Sequence, residues 1–533
     1  MKSKYIQCAL DHQFDELVNS VKPYIKKKIP DILGYPRSSV SHRLQQQFIA
    51  LEYDFFKGEA LRYLKEGLGK SILDQNIIEL HRFKCDTRNL SMSINFYYFI
   101  KCMYRFFVQW HVVLLICIKS LCIFPEKDKK RPKFTLVYGI SDIYFSQDLA
   151  DVEFVEFCKN SAINPLFEAK YLMVKSQAKG LVSSVPKHIC YTRNPLYKLL
   201  EKKKLSIVEF IKFFLLHCKT FFVYLKAVFN YPTLSILFND FSTHSLATTI
   251  VSKKLIDNIL LTNSNMSEQF LWMNSIIDRN FKTHMVWYSE NALIYGPGAC
   301  CEVFYKYIKV DEHWFWTQNF SDILHEMQVP GVFHSIGPIL FYPVIKKTKS
   351  NNYISISVFD VTPISDEWSK KMGIGISYTE GQYIRFERVD YYTPEIMSKF
   401  ITDVMSIAKD IESYSGNKVK IFFKPKRVYH EKHDTNYLAL IEKLSGKSNE
   451  LSMILVPPEE NMYKMISASD FSVVMPFSSP ALVSGALNVP AVYYDPVSNI
   501  DVMSGYKKMD NIIFASGKEE LYVKIIDIVN AIN

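Results

Sequence analysis

Residues 418–427 read KVKIFFKPKR and residues 471–480 read FSVVMPFSSP; these two stretches decide the fold. In each, a short apolar, β-rich run ends in a proline-bearing polar loop, the pattern of a strand leaving a sheet. What flanks them continues the alternation. ISISVFDV (354–361), LSMILVPP (451–458), VPAVYYDP (489–496) and NIIFASG (511–517) are further strand candidates. Between them lie helical patterns. YTPEIMSKFITDVMSIAKDIESYSG (392–416) carries a Thr/Pro start and a Gly stop, the end signals of a helix. NYLALIEKLSG (436–446), ENMYKMISAS (460–469), PALVSGALN (480–488) and KEELYVKIIDIVNAI (518–532) supply the others. Strands and helices in strict alternation make a parallel sheet, so residues 346–533, after the polar linker KKTKSNN, read as one doubly wound Rossmann-like domain.

Upstream the same alternation appears with longer spacers. FTLVYGI (134–140), KYLMVKS (170–176), NILLTNS (258–264), THMVWYS (283–289) and HWFWTQ (313–318) are strand candidates. The apolar stretch 204–238, with LSIVEFIKFFLLHCKTFFVYLKAVF (205–229), reads as helices, mostly core, with membrane contact as the lesser alternative. Residues 131–345 therefore form a second α/β domain, and 1–130 a mostly helical N-terminal region with no evident chemistry.

Within that region, 95–124 (NFYYFIKCMYRFFVQWHVVLLICIKSLCIF) is the most apolar stretch of the chain. Its uncharged part, Phe106–Ile118, falls short of the roughly 20 residues a spanning helix needs. A buried helix, a helix on the inner membrane surface and a true span are the three readings. The basic run that follows, EKDKKRPK, marks a domain boundary.

The totals agree with a multidomain globular enzyme. At 533 residues the chain is too long for one core. Its 48% hydrophobic and 22% charged residues exclude a disordered chain. A net charge of +10 suits an anionic substrate or membrane surface. No nucleic-acid motif accompanies that charge, so no nucleic-acid partner is expected. Ten cysteines without a CxxC pair argue against a zinc ribbon and fit a reducing cytoplasm. The charged N-terminus lacks a signal-peptide core.

Ligands bind beyond the carboxyl ends of strands in an open parallel sheet. Lys424, Lys426 and Arg427 follow one such strand and can neutralise phosphate groups; a solvated basic turn is the plainer reading. Ser478 and Ser479 open a helix whose first N–H groups form an anion site, or simply cap it. Glu459 could accept bonds from ribose or base, or sit with Glu460 in the first turn of the next helix. Asp360 could contact acceptor or sugar, or cap a turn. For a general base, Glu290, Asp142 and His244 are the three candidates, each with a buried or capping role as its alternative. GPG (296–298) is a turn; neither GxGxxG nor GxxxxGK[ST] occurs, and no DxD stands at a strand exit.

KIFFKPKR and PPEENMYKMISASDFSVVMPFSSPALVSGALNVPAVYYDP together resemble the C-terminal domain of GT-B glycosyltransferases of bacterial capsule and lipopolysaccharide synthesis, the Kdo and sialic acid transferases among them. HMVWYSEN, HWFWTQNF and GVFHSIGP resemble the N-terminal half of surface-polysaccharide biosynthesis proteins. The resemblance covers about residues 130–533. It implies two facing Rossmann-like domains with an extra helical N-terminal region. It also implies transfer of a sugar from a CMP-, UDP- or GDP-sugar to a growing glycan or a lipid-linked acceptor. Lys424-Pro425 and Ser478-Ser479 take the places that hold the donor nucleotide, where the family often has His-Pro in place of the Lys-Pro. Neither metal nor cofactor is then expected, and the location is cytoplasmic, with peripheral contact at the inner membrane face as an option. An epimerase of the UDP-GlcNAc 2-epimerase type and a non-catalytic assembly scaffold are the rival readings.

Overall fold

A computed structural model describes residues 31–47, 92–121 and, with internal breaks, 133–532. The longer breaks are 140–162, 176–188, 291–304, 366–376, 385–392 and 499–510.

The first half is a seven-stranded sheet. Its strands are β1 (Phe134–Val137), β2 (Tyr171–Lys175), β3 (Ile189–Thr192), β4 (Ile256–Thr262), β5 (Lys282–Val286), β6 (Glu312–Phe315) and β7 (Val332–Ser335). Every neighbour pairs in parallel, in the order β3-β2-β1-β4-β5-β6-β7. The second half begins with β8 (Ile354–Phe359) and a separate hairpin of β9 (Ser377–Thr379) and β10 (Gln382–Ile384). It continues with β11 (Val419–Lys424), β12 (Ser452–Leu455), β13 (Phe471–Val474), β14 (Ala491–Asp495) and β15 (Ile512–Ser516). Its sheet is again all parallel, ordered β12-β11-β8-β13-β14-β15. Both orders are 3-2-1-4-5-6 of the doubly wound fold, the first with one added edge strand. The direction of winding therefore reverses between β1 and β4 in one half, and between β8 and β13 in the other.

Helices cover the second sheet. Helix Pro394–Ser415 starts at Thr393, whose side chain accepts the Ile396 N–H, and stops at Gly416 with φ 70°. It buries Met397, Phe400, Val404 and Ile411 and packs beside helices Thr435–Ser445 and Lys518–Ile532. Helix Ser479–Ala486 lies beside helix Met462–Ser467. A parallel strand buried on both faces is normally unbroken hydrophobe, yet β8 carries Ser355 and Ser357. The hydroxyl and amide of Ser355 both donate to Asp470 at 2.8 Å, tying the starts of β8 and β13 together. Ser357 Oγ lies 2.7 Å from Ser472 Oγ, which lies 2.8 Å from Ser484 Oγ on helix Ser479–Ala486. Each buried hydroxyl thus has a partner, as burial demands.

Residues 32–47 pack on the first half: Arg43 forms a buried ion pair with Asp240 at 3.1 Å, and Tyr35 and Leu44 join the core. One expectation needs correction. The apolar run 205–229 is not mostly core. Helix Ile207–Asn230 buries Phe213, His217, Thr220, Tyr224 and Ala227, while Leu215, Phe222 and Phe229 stand in solvent. The first half passes to the second through a segment that rests on helix Met462–Ser467: Tyr463 Oη donates to Pro338 O at 3.4 Å, and Lys347 N to Ser467 Oγ at 2.8 Å.

Candidate functional site

The carboxyl ends of β11, β8 and β13 lie side by side, with Lys424 opposite Phe359 and Phe359 opposite Val474. The Lys424 loop and the Ser478–Ser479 turn therefore leave the same edge, on the two strands that flank β8. Two strand spacings, about 10 Å, separate their roots, a span on the scale of a nucleotide diphosphate.

Asp360, the first residue past β8, is buried and builds this edge. Its Oδ1 accepts the Lys426 N–H at 2.8 Å and the Thr362 hydroxyl at 3.0 Å; its Oδ2 accepts the Tyr437 hydroxyl at 2.8 Å. Thr362, at φ 51°, also accepts the Arg427 N–H at 3.2 Å. Burial pushes the Asp360 carboxyl above the ordinary carboxylate range, against the pull of these donors. Of the two readings for Asp360, the geometry matches the turn cap: the carboxylate sets the shape of the Lys-Pro-Lys-Arg loop.

Lys424 is buried, and its ammonium donates to the Pro458 carbonyl in the loop after β12. Burial lowers its pKa, with Glu459, Asp360 and Glu460 raising it. It braces two neighbouring loops. Lys426 and Arg427 are exposed at the tip. Glu459 is exposed, and the expected first-turn placement of Glu459 and Glu460 is corrected. The cap is Asn461, which accepts the Lys464 N–H at 3.3 Å, so the helix starts beyond both glutamates. Glu460 pairs instead with Lys464 at 2.7 Å.

Ser478 occupies the N-cap position of helix Ser479–Ala486 but makes no side-chain cap. Its hydroxyl turns back to donate to the Met475 carbonyl at 2.7 Å, and the Tyr493 hydroxyl holds its carbonyl at 2.9 Å. With Pro480 at the second helical position, the first turn presents its N–H groups without a side-chain oxygen over them. Ser479 is half-buried beside them.

His433, in the loop after the Lys-Pro pair, is buried: Nδ1 accepts the His430 N–H at 3.1 Å, and Nε2 has no partner among the described residues. Burial, then His430, Arg427 and Lys432, push its pKa down to about 4, so the ring is neutral with the proton on Nε2. The buried Tyr429 hydroxyl likewise has no partner among the described residues. Spacing to the Lys-Pro pair was the only available signal.

The two candidate bases among the described residues sit in different settings. Glu290, just past β5, is buried. Its carboxylate accepts the Trp316 N–H, the Thr317 N–H at 2.8 Å and the Thr317 hydroxyl at 2.7 Å, joining the exits of β5 and β6. Burial pushes its pKa up to about 7 against those three donors. His244 sits within helix Phe238–Val251, not at a strand exit. Its Nδ1 pairs with Tyr35 Oη at 2.7 Å in the interior, and burial lowers its pKa to about 4. That ring holds the N-terminal segment in place. Asp142 lies outside the described residues.

Two doubly wound parallel sheets joined by one crossing segment define a GT-B-like fold. More narrowly, the polysaccharide biosynthesis PFTS motif protein family matches residues 223–524, more than half of the chain, and this protein belongs to that family. No curated protein matches. Solved structures similar to the chain include a putative UDP-N-acetylglucosamine 2-epimerase from Listeria monocytogenes (9% identity, 75% of this chain and 89% of that one, TM-score 0.39). Another is MurG from Acinetobacter baumannii (10% identity, 75% and 91%, TM-score 0.30).

Proposed function

We propose that the protein is a glycosyltransferase that moves a sugar from a nucleotide-activated donor to a surface glycan or its lipid-linked precursor. The observation that carries this reading is the shared edge: a cationic loop and an uncapped helix start leave the two strands that flank β8. Lys426 and Arg427 face the donor phosphates from one side. The Ser479 and Ala481 N–H groups and the Ser479 hydroxyl face them from the other. Lys424 and Asp360 position the loop without touching the ligand, and Glu459 stands at the rim for ribose or base. Charge on the departing phosphate is met by these cations and amides. Glu290, just past β5, or Asp142, the other candidate that the sequence offers, takes the proton from the acceptor hydroxyl. Membership of a polysaccharide-biosynthesis family supports the substrate class.

Thermal shift and calorimetry with CMP, UDP and GDP, followed by their sugar conjugates, test the site. Arg427→Ala and Ser479→Ala should each weaken the preferred nucleotide by roughly tenfold to a hundredfold, the loss of one hydrogen bond to a charged group. Lys424→Ala is a poorer probe, since it also cuts the brace to Pro458. No response to any nucleotide would refute the reading, and conversion of free donor without acceptor would replace it with epimerisation.

A further inference from the structure

Two long helices of the first half leave large apolar side chains in solvent, in a pattern. On helix Ile207–Asn230, Val208, Leu215, Phe222 and Phe229 are 61%, 62%, 66% and 78% exposed and recur every seven residues. Lys212, Lys219 and Lys226 recur with the same period and are also exposed. Seven residues make nearly two turns, so each set forms a row along the axis, the two rows lying about 40–60° apart. The side that enters the core, Phe213, His217 and Tyr224, is opposite. Helix Met92–Leu121 repeats the design. Ile100, Tyr104, Phe107, Leu115 and Ile118 are exposed along one face, while Phe106, Val113 and Ile116 are buried on the other. Trp110 lies against Phe214 with ring centroids 6.0 Å apart, so the two faces adjoin. The only acidic residue in either helix, Glu209, is bonded to Lys253. No helix among the described residues is long and apolar enough to cross a membrane.

We infer that this two-helix face docks on an anionic lipid surface, lying in the interface without spanning it. The apolar rows enter the boundary between headgroups and acyl chains, and the lysines extend their stems to lipid phosphates. A second copy of the chain is the poorer occupant, because a self-complementary contact would bring like lysine rows together. The inference stands apart from the donor site: it uses none of its residues and holds whichever sugar reaction the protein performs.

Co-sedimentation of the full chain with vesicles tests it. The protein should bind vesicles of equal parts phosphatidylcholine and phosphatidylglycerol, and bind pure phosphatidylcholine far more weakly. The triple variant Lys212→Gln/Lys219→Gln/Lys226→Gln should lose roughly 100-fold in partitioning, about fivefold per surface lysine. Leu215→Glu/Phe222→Glu should abolish binding. All five side chains are exposed, so circular dichroism and melting should match the wild type. Three results would overturn the inference. One is no binding to the mixed vesicles, and another is equal binding to both compositions. The third is a dimer, seen by light scattering, that Phe222→Glu dissolves while vesicles are ignored.

Discussion

Glu290→Gln separates the energetics of the first half from its chemistry. In the folded chain the carboxyl titrates near 7, against 4.5 unperturbed. Below about pH 4.5 it is protonated folded and unfolded, and contributes nothing. Between 4.5 and 7 the unfolded chain ionises while the folded one keeps the proton, so stability falls as pH rises. Above 7 both forms are ionised and the penalty is constant. At 1.36 kcal/mol per pH unit, the gap of about 2.5 units amounts to about 3 kcal/mol. Glutamine mimics the protonated carboxyl: Oε1 keeps the Trp316 and Thr317 amides, and the amide group donates to the Thr317 hydroxyl. Glu290→Gln should therefore match the wild type at pH 4.5 and exceed it by about 3 kcal/mol at pH 8, a rise of roughly 6–12 °C in Tm. Paired thermal and urea unfolding series between those pH values measure the gap. A difference that does not change with pH, or a less stable variant at pH 8, would refute the reasoning, since the two amides would then hold the carboxylate ionised. If Glu290 is also the base, the stabilised variant should be inactive in transfer, and full activity would leave Asp142 as the candidate.

Asp360→Ala removes the acceptor shared by the Lys426 amide and the Thr362 and Tyr437 hydroxyls, leaving buried donors unpaired. Stability should drop by about 3 kcal/mol, read from the urea midpoint, and donor affinity should fall with it. Transfer activity should persist in EDTA, because loop cations and helix amides meet the phosphate charge; activity lost in EDTA and restored by magnesium would overturn that assignment.

The six strands of the second parallel sheet were legible because each is a short apolar run closed by Pro, Gly or a charged loop; the hairpin β9–β10 was not. The helix ends were legible at Thr393-Pro394 and Gly416. β3 and β7 were missed for a common reason. They are edge strands with little apolar signal: Val332–Ser335 has no buried residue, and only Ile189 is buried in β3. The bonds made by site side chains were not legible at all. Lys424 reaches Pro458, Asp360 reaches Tyr437 and His244 reaches Tyr35, partners 34, 77 and 209 residues away. Local patterning carries no information on such pairs. Spacing placed the phosphate loops but did not distinguish a lysine that touches ligand from one that braces its neighbour. Exposure was hidden similarly. A row of phenylalanines at helical period suits core first and membrane contact second, and the fold turns Phe222 and Phe229 outward.

The hydroxyl seam Ser357–Ser472–Ser484 has a consequence for the helix it anchors. Oxygen contacts of 2.7 and 2.8 Å fix that helix against β8 and β13, where bulky side chains would hold it farther off and yield more. The amides at its start thus stand in position before any phosphate arrives, and little ordering remains for binding to accomplish. Enlarging any one of the three serines would lift the helix and spoil an anion cradle that none of them touches.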